Sequence, residues 1–253
     1  MRAARPIAVV PARLGSTRLE RKPLADVGGA PLVVRVCENL TRGDLFARIL
    51  VATDAREVAE VVEAAGYESV LTAATLPSGT DRVAEACRLV GLAAEAVVVN
   101  VQGDEPFVDA DLLRAVVGAI APGDAHVVTP VEPLRALGLL DDRDVVKAVL
   151  GERGRALYFS RRGVPFVREA VGEPPAPGLF YRHVGVYAYT RATLERLTAY
   201  APHPLELAER LEQLRWLAHG EEVRCVRVEP SARGVDTEED RRRADAHYRQ
   251  LRS

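Results

Sequence analysis

Lysine is almost missing from this chain of 253 residues: of 34 cationic side chains only Lys22 and Lys147 are lysine, and the other 32 are arginine. That bias fits a GC-rich genome. Cysteine is scarce too. Cys37, Cys87 and Cys225 are odd in number and lack any CxxC spacing, which supports neither a disulfide framework nor a cysteine zinc site. Reduced, buried thiols in a cytoplasm are expected. No apolar run reaches the length of a membrane span, and the start leads straight into a strand-like Ile7-Ala-Val-Val10 with no long apolar signal region. The expectation is a soluble cytoplasmic protein without membrane insertion. A net charge of −2 argues against a protein that coats nucleic acid. Both the Walker A sequence and the GxGxxG fingerprint are absent, so P-loop nucleotide hydrolysis and dinucleotide binding lose their main signals.

What is present is a long, ordinary globular composition, 48% hydrophobic and 28% charged. It suits one large α/β domain or one with a smaller appendage. Short apolar runs alternate with helical patterns through the first half. Strands are expected at residues 7–10, 49–52, 69–71 and 96–101. Helices are expected at 31–40, opened by a proline, at 55–65, ending at Gly66, and at 81–90, with Thr80 as the cap. Repeated strand–helix units imply a doubly wound, mainly parallel, Rossmann-like sheet. After about residue 125 strands dominate, at 127–131, 145–150, 156–160 and 181–189. A proline-rich loop at 173–178, a helix at 205–219, a strand at 223–228 and a charged helix from 237 complete the pattern. Residues 125–220 read as an inserted smaller lobe that covers the strand ends and pairs with another copy of itself.

In an open α/β sheet, ligands bind beyond the carboxyl ends of the strands. The loop after the first strand, Pro11-Ala-Arg-Leu-Gly-Ser-Thr-Arg-Leu-Glu-Arg-Lys-Pro23, lies there. Residues 2–22 carry six cations and one acid, a net of +5 inside a chain of −2. Such a loop suits a triphosphate; a solvated basic loop is the plain alternative. Asp104, in Asn100-Val-Gln-Gly-Asp-Glu-Pro106, emerges at the same edge, where a carboxylate beside phosphates holds Mg²⁺ or merely makes a turn. From the residues alone, Gly234-Val-Asp-Thr237 reads as a helix cap, with Asp240 completing a capping box. Pro77-Ser-Gly-Thr-Asp-Arg82 offers a helix N-terminus and an arginine to a phosphate, a base or a carboxylate, or is a simple capped start. On the strand at 181–189, His183, Gly185, Tyr187 and Tyr189 share a face, either the floor of a hydroxyl-rich pocket or a core edge. On the late helix, Leu207, Leu211, Leu214 and Ala218 form an apolar stripe, and Glu212 pairs with Arg215 on a solvated face.

Taken in order, Pro11-Ala-Arg with Ser16-Thr-Arg-Leu and Lys22-Pro-Leu24, Ser78-Gly-Thr80, the Asn100–Pro106 segment, Leu157-Tyr-Phe-Ser-Arg161, Arg182-His-Val-Gly-Val-Tyr187, Leu211-Glu-Gln-Leu-Arg215 and Gly234-Val-Asp-Thr237 resemble the 3-deoxy-manno-octulosonate cytidylyltransferases, or CMP-KDO synthetases. The resemblance spans residues 7–245. It implies a single domain over 1–253 of the nucleotide-diphospho-sugar transferase type, with the lobe at about 125–220 carrying the sugar site and the homodimer contact. It further implies Mg²⁺-dependent transfer of CMP from CTP to KDO, with pyrophosphate released, activating KDO for lipopolysaccharide synthesis. By matching motif positions, Pro11, Ala12, Arg13, Ser16, Arg18, Lys22, Ser78, Gly79, Thr80, Arg82 and Gln102 would bind the nucleotide. Among these Arg13, Arg18 and Lys22 would also be catalytic, together with Asp104 and Asp236 as metal ligands, which displaces the cap reading of Asp236. His183, Tyr187, Glu212, Gln213 and Arg161 would line the sugar pocket.

One departure stands out. Where relatives usually read Leu-Pro-Gly-Lys, this chain has Leu19-Glu-Arg-Lys22, which puts the course of the nucleotide loop in question. Two rival functions remain: a cytidylyltransferase for sialic acid or another acid sugar, and a catalytically dead nucleotide-binding regulator. Lys147 has no role in this reading.

Overall fold

A computed structural model describes residues 4–15, 19–120, 127–136, 138–168, 178–230 and 234–250. They fold as two compact units, one of residues 1–113, 190–194 and 231–253, the other of residues 114–189 and 195–230.

The first unit begins with β1 (Ile7–Ala12), followed by the small hairpin β2 (Asp26–Val27) and β3 (Ala30–Pro31), then α1 (Leu32–Arg42), β4 (Arg48–Thr53), α2 (Arg56–Ala64), β5 (Glu68–Leu71), α3 (Gly79–Leu89), β6 (Val97–Val101) and the start of α4 (Ala110–Gly118). β5, β4, β1 and β6 lie side by side in that order, all parallel. Ala8, Val9 and Val10 are wholly buried, as the continuous apolar run requires of a strand covered on both faces. Because the strands run parallel, the exits of β1, β4 and β6 open on one edge. Thr80 is not the cap of α3: Ser78 Oγ accepts from Asp81 N at 3.1 Å and donates to the Asp81 carboxylate at 2.6 Å. The helix starts slightly earlier than its apolar periodicity shows, and Thr80 is buried inside it.

The second unit contains β7 (Val127–Pro133), α5 (Gly138–Asp141), β8 (Lys147–Leu150), β9 (Ala156–Ser160), β10 (Tyr181–His183), β11 (Val186–Thr190), most of α6 (Arg191–Ala199), α7 (Pro204–Glu209), α8 (Gln213–Ala218) and β12 (Val223–Arg227). Its sheet is mixed. β10 and β11 run antiparallel to β7, β8 antiparallel to β10, β9 antiparallel to β8, and β12 parallel to β7. The chain closes with α9 (Glu238–Gln250) in the first unit, where the buried Tyr248 hydroxyl donates to Pro106 O at 3.1 Å.

Two long elements expected from sequence are each broken. The strand at 181–189 divides at Val184 and Gly185, and its register against β7 slips by two residues, from His183 opposite Val131 to Ala188 opposite Val128. Two is the period of a strand, so the expected facing of His183, Tyr187 and Tyr189 survives the break. The helix at 205–219 divides at Arg210, whose left-handed backbone (φ 55°, ψ 48°) ends α7. The apolar stripe fails with it: Leu211 and Leu214 are buried, but Leu207 and Ala218 are exposed. The proline-rich loop at 173–178 lies outside the described residues except for Gly178.

Candidate functional site

Three chain segments far apart in sequence meet in the first unit around one ammonium. Lys22 opens a short 3-10 turn after β1, and its Nζ donates to Asp104 Oδ2 at 2.5 Å and to Asp236 Oδ1 at 2.7 Å. Close backbone approach makes the meeting possible. A Cβ on Gly103 would stand 2.8 Å from Pro11 O, and one on Gly234 would stand 2.9 Å from Asp104 O, so both positions exclude any side chain. Val235 N then donates to Asp104 O at 2.7 Å, tying the last loop to the exit of β6. Burial alone would lower the pKa of Lys22, but Asp104 and Asp236 together outweigh it and hold the ammonium above its ordinary value.

The cap and the site turn out to be different residues. Thr237 and Asp240 form the capping pair at the start of α9, with Thr237 N and Oγ1 donating to Asp240 Oδ2 and Asp240 N donating back to Thr237 Oγ1. Asp236 is thereby left to reach Lys22.

Just before Lys22, Arg21 has the left-handed backbone (φ 50°, ψ 35°) that glycine adopts without cost. At this one position the backbone therefore takes the conformation that glycine would supply. The Arg21 side chain is half-exposed and ion-paired with Glu57 on α2.

Beside this cluster, the exits of β1 and β6 and the start of α3 converge. A Cβ on Gly79 would touch Pro11 at 3.6 Å and stand 3.8 Å from Gln102 Oε1. Pro11, Gly79 and Gln102 thus come together there, Ser78 precedes Gly79 as the cap of α3, and next to Pro11 in the chain Ala12 is buried and Arg13 exposed. Arg82 is buried and turned inward, where Nη1 donates to Thr72 Oγ1 at 2.6 Å and Nη2 to Asp54 Oδ2 at 3.0 Å. Ser16 and Arg18 lie outside the described residues.

The second unit carries a neutral cluster. His183 sits among Phe159, Tyr187 and Thr129, with ring centroids 5.0 Å from Phe159 and 5.4 Å from Tyr187. Thr129 Oγ1 donates its single proton to Val186 O at 2.7 Å, so at 2.9 Å it accepts from His183 Nε2. That fixes the tautomer and leaves Nδ1 as an acceptor. Burial, reinforced by neighbouring Arg182, lowers the His183 pKa to about 3, so the ring is neutral. Burial and then Glu212 push the Tyr187 phenol well above its usual value, keeping its proton in place. Gln213, at the start of α8, is buried with no partner for Nε2 among the described residues. Arg215 does not lie on a solvated face. It is buried, and its fork grips Glu206 at 2.8 and 2.5 Å, bracing α8 against α7.

Arg161 follows β9. Its N–H donates to Glu209 Oε2 at 2.9 Å, its Nε to Glu209 O at 2.8 Å and its Nη1 to Arg143 O at 2.9 Å. Sequence reading missed Asp54, Thr129 and Glu209. Asp54 was findable, since it stands just beyond the carboxyl end of β4, where the same rule marks Asp104. Thr129 and Glu209 carry no signal of their own in the sequence.

The chain has relatives among known proteins. A family model described as cytidylyltransferase matches residues 7–223. A 3-deoxy-manno-octulosonate cytidylyltransferase of Gemmatimonas aurantiaca is 46% identical over 242 residues, covering 96% of this chain and 93% of that one. Another, from Methylococcus capsulatus, is 45% identical over 245 residues, covering 94% and 95%. Among solved structures, a CMP:2-keto-3-deoxy-manno-octonic acid synthetase complexed with CTP matches with a TM-score of 0.87 at 33% identity, covering 98% of this chain and all of that one.

Proposed function

The chain belongs to the 3-deoxy-manno-octulosonate cytidylyltransferases of the cytidylyltransferase family, and from that premise we propose that it couples CTP and KDO into CMP-KDO through the two clusters described above. The anomeric hydroxyl oxygen of KDO bonds to the α-phosphorus of CTP. The bond from that phosphorus to the bridging oxygen of the β-phosphate breaks, pyrophosphate leaves, and the hydroxyl proton passes to solvent. The product activates KDO for lipopolysaccharide synthesis. The observation that carries the assignment of roles is the convergence of Lys22 on Asp104 and Asp236 beside Pro11, Gly79 and Gln102.

Two anions must meet in this reaction, so the chain's task is to place them and to neutralise charge as it develops. Arg13, Ser16, Arg18 and Lys22 grip the triphosphate, Lys22 as a compact point charge rather than a fork. Gln102 faces the cytidine together with the segment Ser78–Arg82, whose Arg82 holds the floor through Asp54 and Thr72. In the second unit His183, Tyr187, Glu212 and Gln213 meet sugar hydroxyls. His183 Nδ1 can only accept there, the Tyr187 hydroxyl keeps its proton to donate, and the buried Gln213 amide offers a donor that no described residue engages. Arg161 meets the sugar's carboxylate.

Asp104 and Asp236 fit Mg²⁺. They are hard oxygen donors that already share one cation, and no third His, Cys, Asp or Glu joins them among the described residues. Two carboxylates completed by phosphate oxygens and water is the usual way this ion is held. When bound, it would neutralise charge on the phosphates.

No helix among the described residues is long and apolar enough to cross a membrane. A cytoplasmic protein fits the three buried free cysteines. A homodimer formed through the second unit fits the exposed Leu157 on β9, with Phe166 and Leu207 also exposed there.

The deciding experiment is pyrophosphate release from CTP with KDO or N-acetylneuraminate, with Mg²⁺ and with EDTA. Turnover on KDO that EDTA abolishes is expected. Preference for N-acetylneuraminate would overturn the sugar assignment, and undiminished turnover in EDTA the metal assignment.

A further inference from the structure

Lys147 is the second of the chain's two lysines, and the reaction scheme leaves it without a part. Its side chain is wholly buried at the start of β8, out of reach of any substrate. Its Nζ donates to three backbone carbonyls, of Asp142 at 2.8 Å, Val145 at 2.6 Å and Arg161 at 2.6 Å. Three donors and three acceptors satisfy an ammonium completely. The acceptors come from two separate segments, the turn before β8 and the residue that leaves β9.

Arg161 is held on both sides of its backbone. Lys147 grips its carbonyl, while the Glu209 carboxylate accepts from its N–H at 2.9 Å and from Ser160 Oγ at 2.7 Å. The inner edge of its guanidinium is spent on Glu209 O and Arg143 O. No hydrogen bond engages Nη2 among the described residues, so one terminal nitrogen is aimed by a frame fixed at its other atoms. An arginine that binds a carboxylate gains specificity only if its plane is set beforehand, and here the setting comes from backbone contacts.

We propose that Lys147 is a positioning residue for the sugar acid, acting through Arg161: its ammonium joins the turn at residues 142–145 to the Arg161 carbonyl and so fixes the guanidinium that receives the substrate's carboxylate. This rests on the reading of Arg161 as the carboxylate's partner. Methionine at position 147 would keep the bulk of the side chain and lose the three hydrogen bonds.

The test is steady-state kinetics on the full chain with KDO and CTP varied separately, for Lys147→Met, Arg161→Gln and the double variant. A side chain that misplaces a binding group raises KM for that substrate, and an increase on the order of tenfold in KM for KDO is expected for Lys147→Met. KM for CTP stays within about twofold, since nothing uniform has been lost from nucleotide binding. The double variant is no worse toward KDO than Arg161→Gln alone, because both changes remove one function. If Arg161→Gln binds KDO normally, the reading of Arg161 falls. If Arg161→Gln is impaired while Lys147→Met is normal, or the two losses multiply, the reading of Arg161 stands and the role of Lys147 falls. Should Lys147→Met fail to fold, Glu209→Gln weakens the other side of the same frame. The same separation of KDO from CTP is expected there, and its absence overturns the proposal.

Discussion

The two lysines of this molecule solve opposite problems with the same ammonium group. Lys22, in the first unit, is held by charge: two carboxylates of which Asp104 is 27% and Asp236 39% exposed. Lys147, in the second, is held by three neutral carbonyls in a wholly buried position. Their proton affinities shift accordingly. The carboxylates raise that of Lys22 against its burial, whereas burial lowers that of Lys147, with Asp142 and Asp141 opposing. A charge held by other charges near solvent can exchange partners when phosphates or a metal arrive. A charge held by fixed dipoles in the interior is part of the frame. The side chains proposed to meet substrate differ in the same sense: Lys22 is paired with carboxylates, whereas His183 and Tyr187 are uncharged.

Substitution separates the two most sharply. Asp104→Asn and Lys22→Met should each lower kcat by about 10²–10³-fold, since the first weakens the proposed Mg²⁺ site and the second removes a positive charge proposed to face the phosphates. Both variants should melt within a few degrees of the parent, because partly exposed ion pairs contribute little to stability. Lys147→Met should do the reverse in a melting experiment. Three buried carbonyls lose their donor, which costs on the order of 3 kcal/mol and lowers the melting temperature by roughly 10 °C. If the two lysine variants melted alike, or if Asp104→Asn kept full turnover, the contrast would collapse.

The neutral character of the second cluster can be broken by acid. Folded, His183 takes no proton until about pH 3; unfolded, it takes one near 6.5. Between those values the unfolded chain binds more protons, so the stability that neutral His183 contributes is complete above about pH 6.5 and drains away as pH falls, by at most ~1.4 kcal/mol per pH unit. Urea unfolding at pH 7, 6, 5 and 4 should therefore show a steeper decline for the parent than for His183→Gln. Equal slopes would mean that the imidazole is already charged in the folded protein.

The sequence made the ionic cluster legible and the neutral one only partly so. Lys22 and Asp104 follow strand exits and, like Asp236, lie in ordered motifs, and the rule that ligands gather at carboxyl ends brings the first two together from their places in the chain alone. Asp236 was harder, because its segment also reads as a cap. The fold gives that task to Thr237 and Asp240, so the cap leaves the Asp236 carboxylate to meet Lys22. Lys147 was opaque for a physical reason. Its partners are backbone carbonyls at residues 142, 145 and 161, and every residue has a carbonyl, so no side-chain pattern marks them. The breaks at Val184–Gly185 and Arg210 were hidden similarly, since helical and strand periodicities continue across them while the register does not. Glu209 could not be read as a partner of Ser160 and Arg161, because α7 and β9 are brought together only by the fold.

The smallest expected effect concerns the residue beside Lys22. Arg21 occupies a left-handed conformation that costs a side-chain-bearing residue roughly 1–2 kcal/mol. Its half-exposed ion pair with Glu57 returns at most about 1 kcal/mol. Glycine there would relieve the strain, lose the pair, and give the unfolded chain extra freedom worth about 0.4–1 kcal/mol. These contributions nearly cancel, so Arg21→Gly should shift the melting temperature by no more than about 3 °C. With the course of the loop unchanged, KM for CTP should move by less than about threefold. Glu57→Gln keeps the left-handed Arg21 and removes only its partner, so it should be slightly destabilising where Arg21→Gly is neutral. A much larger rise in KM for CTP in Arg21→Gly, with Glu57→Gln unaffected, would show that the guanidinium itself touches the triphosphate. The first unit would then hold its nucleotide with one more exchangeable charge, and the contrast with Lys147 would widen.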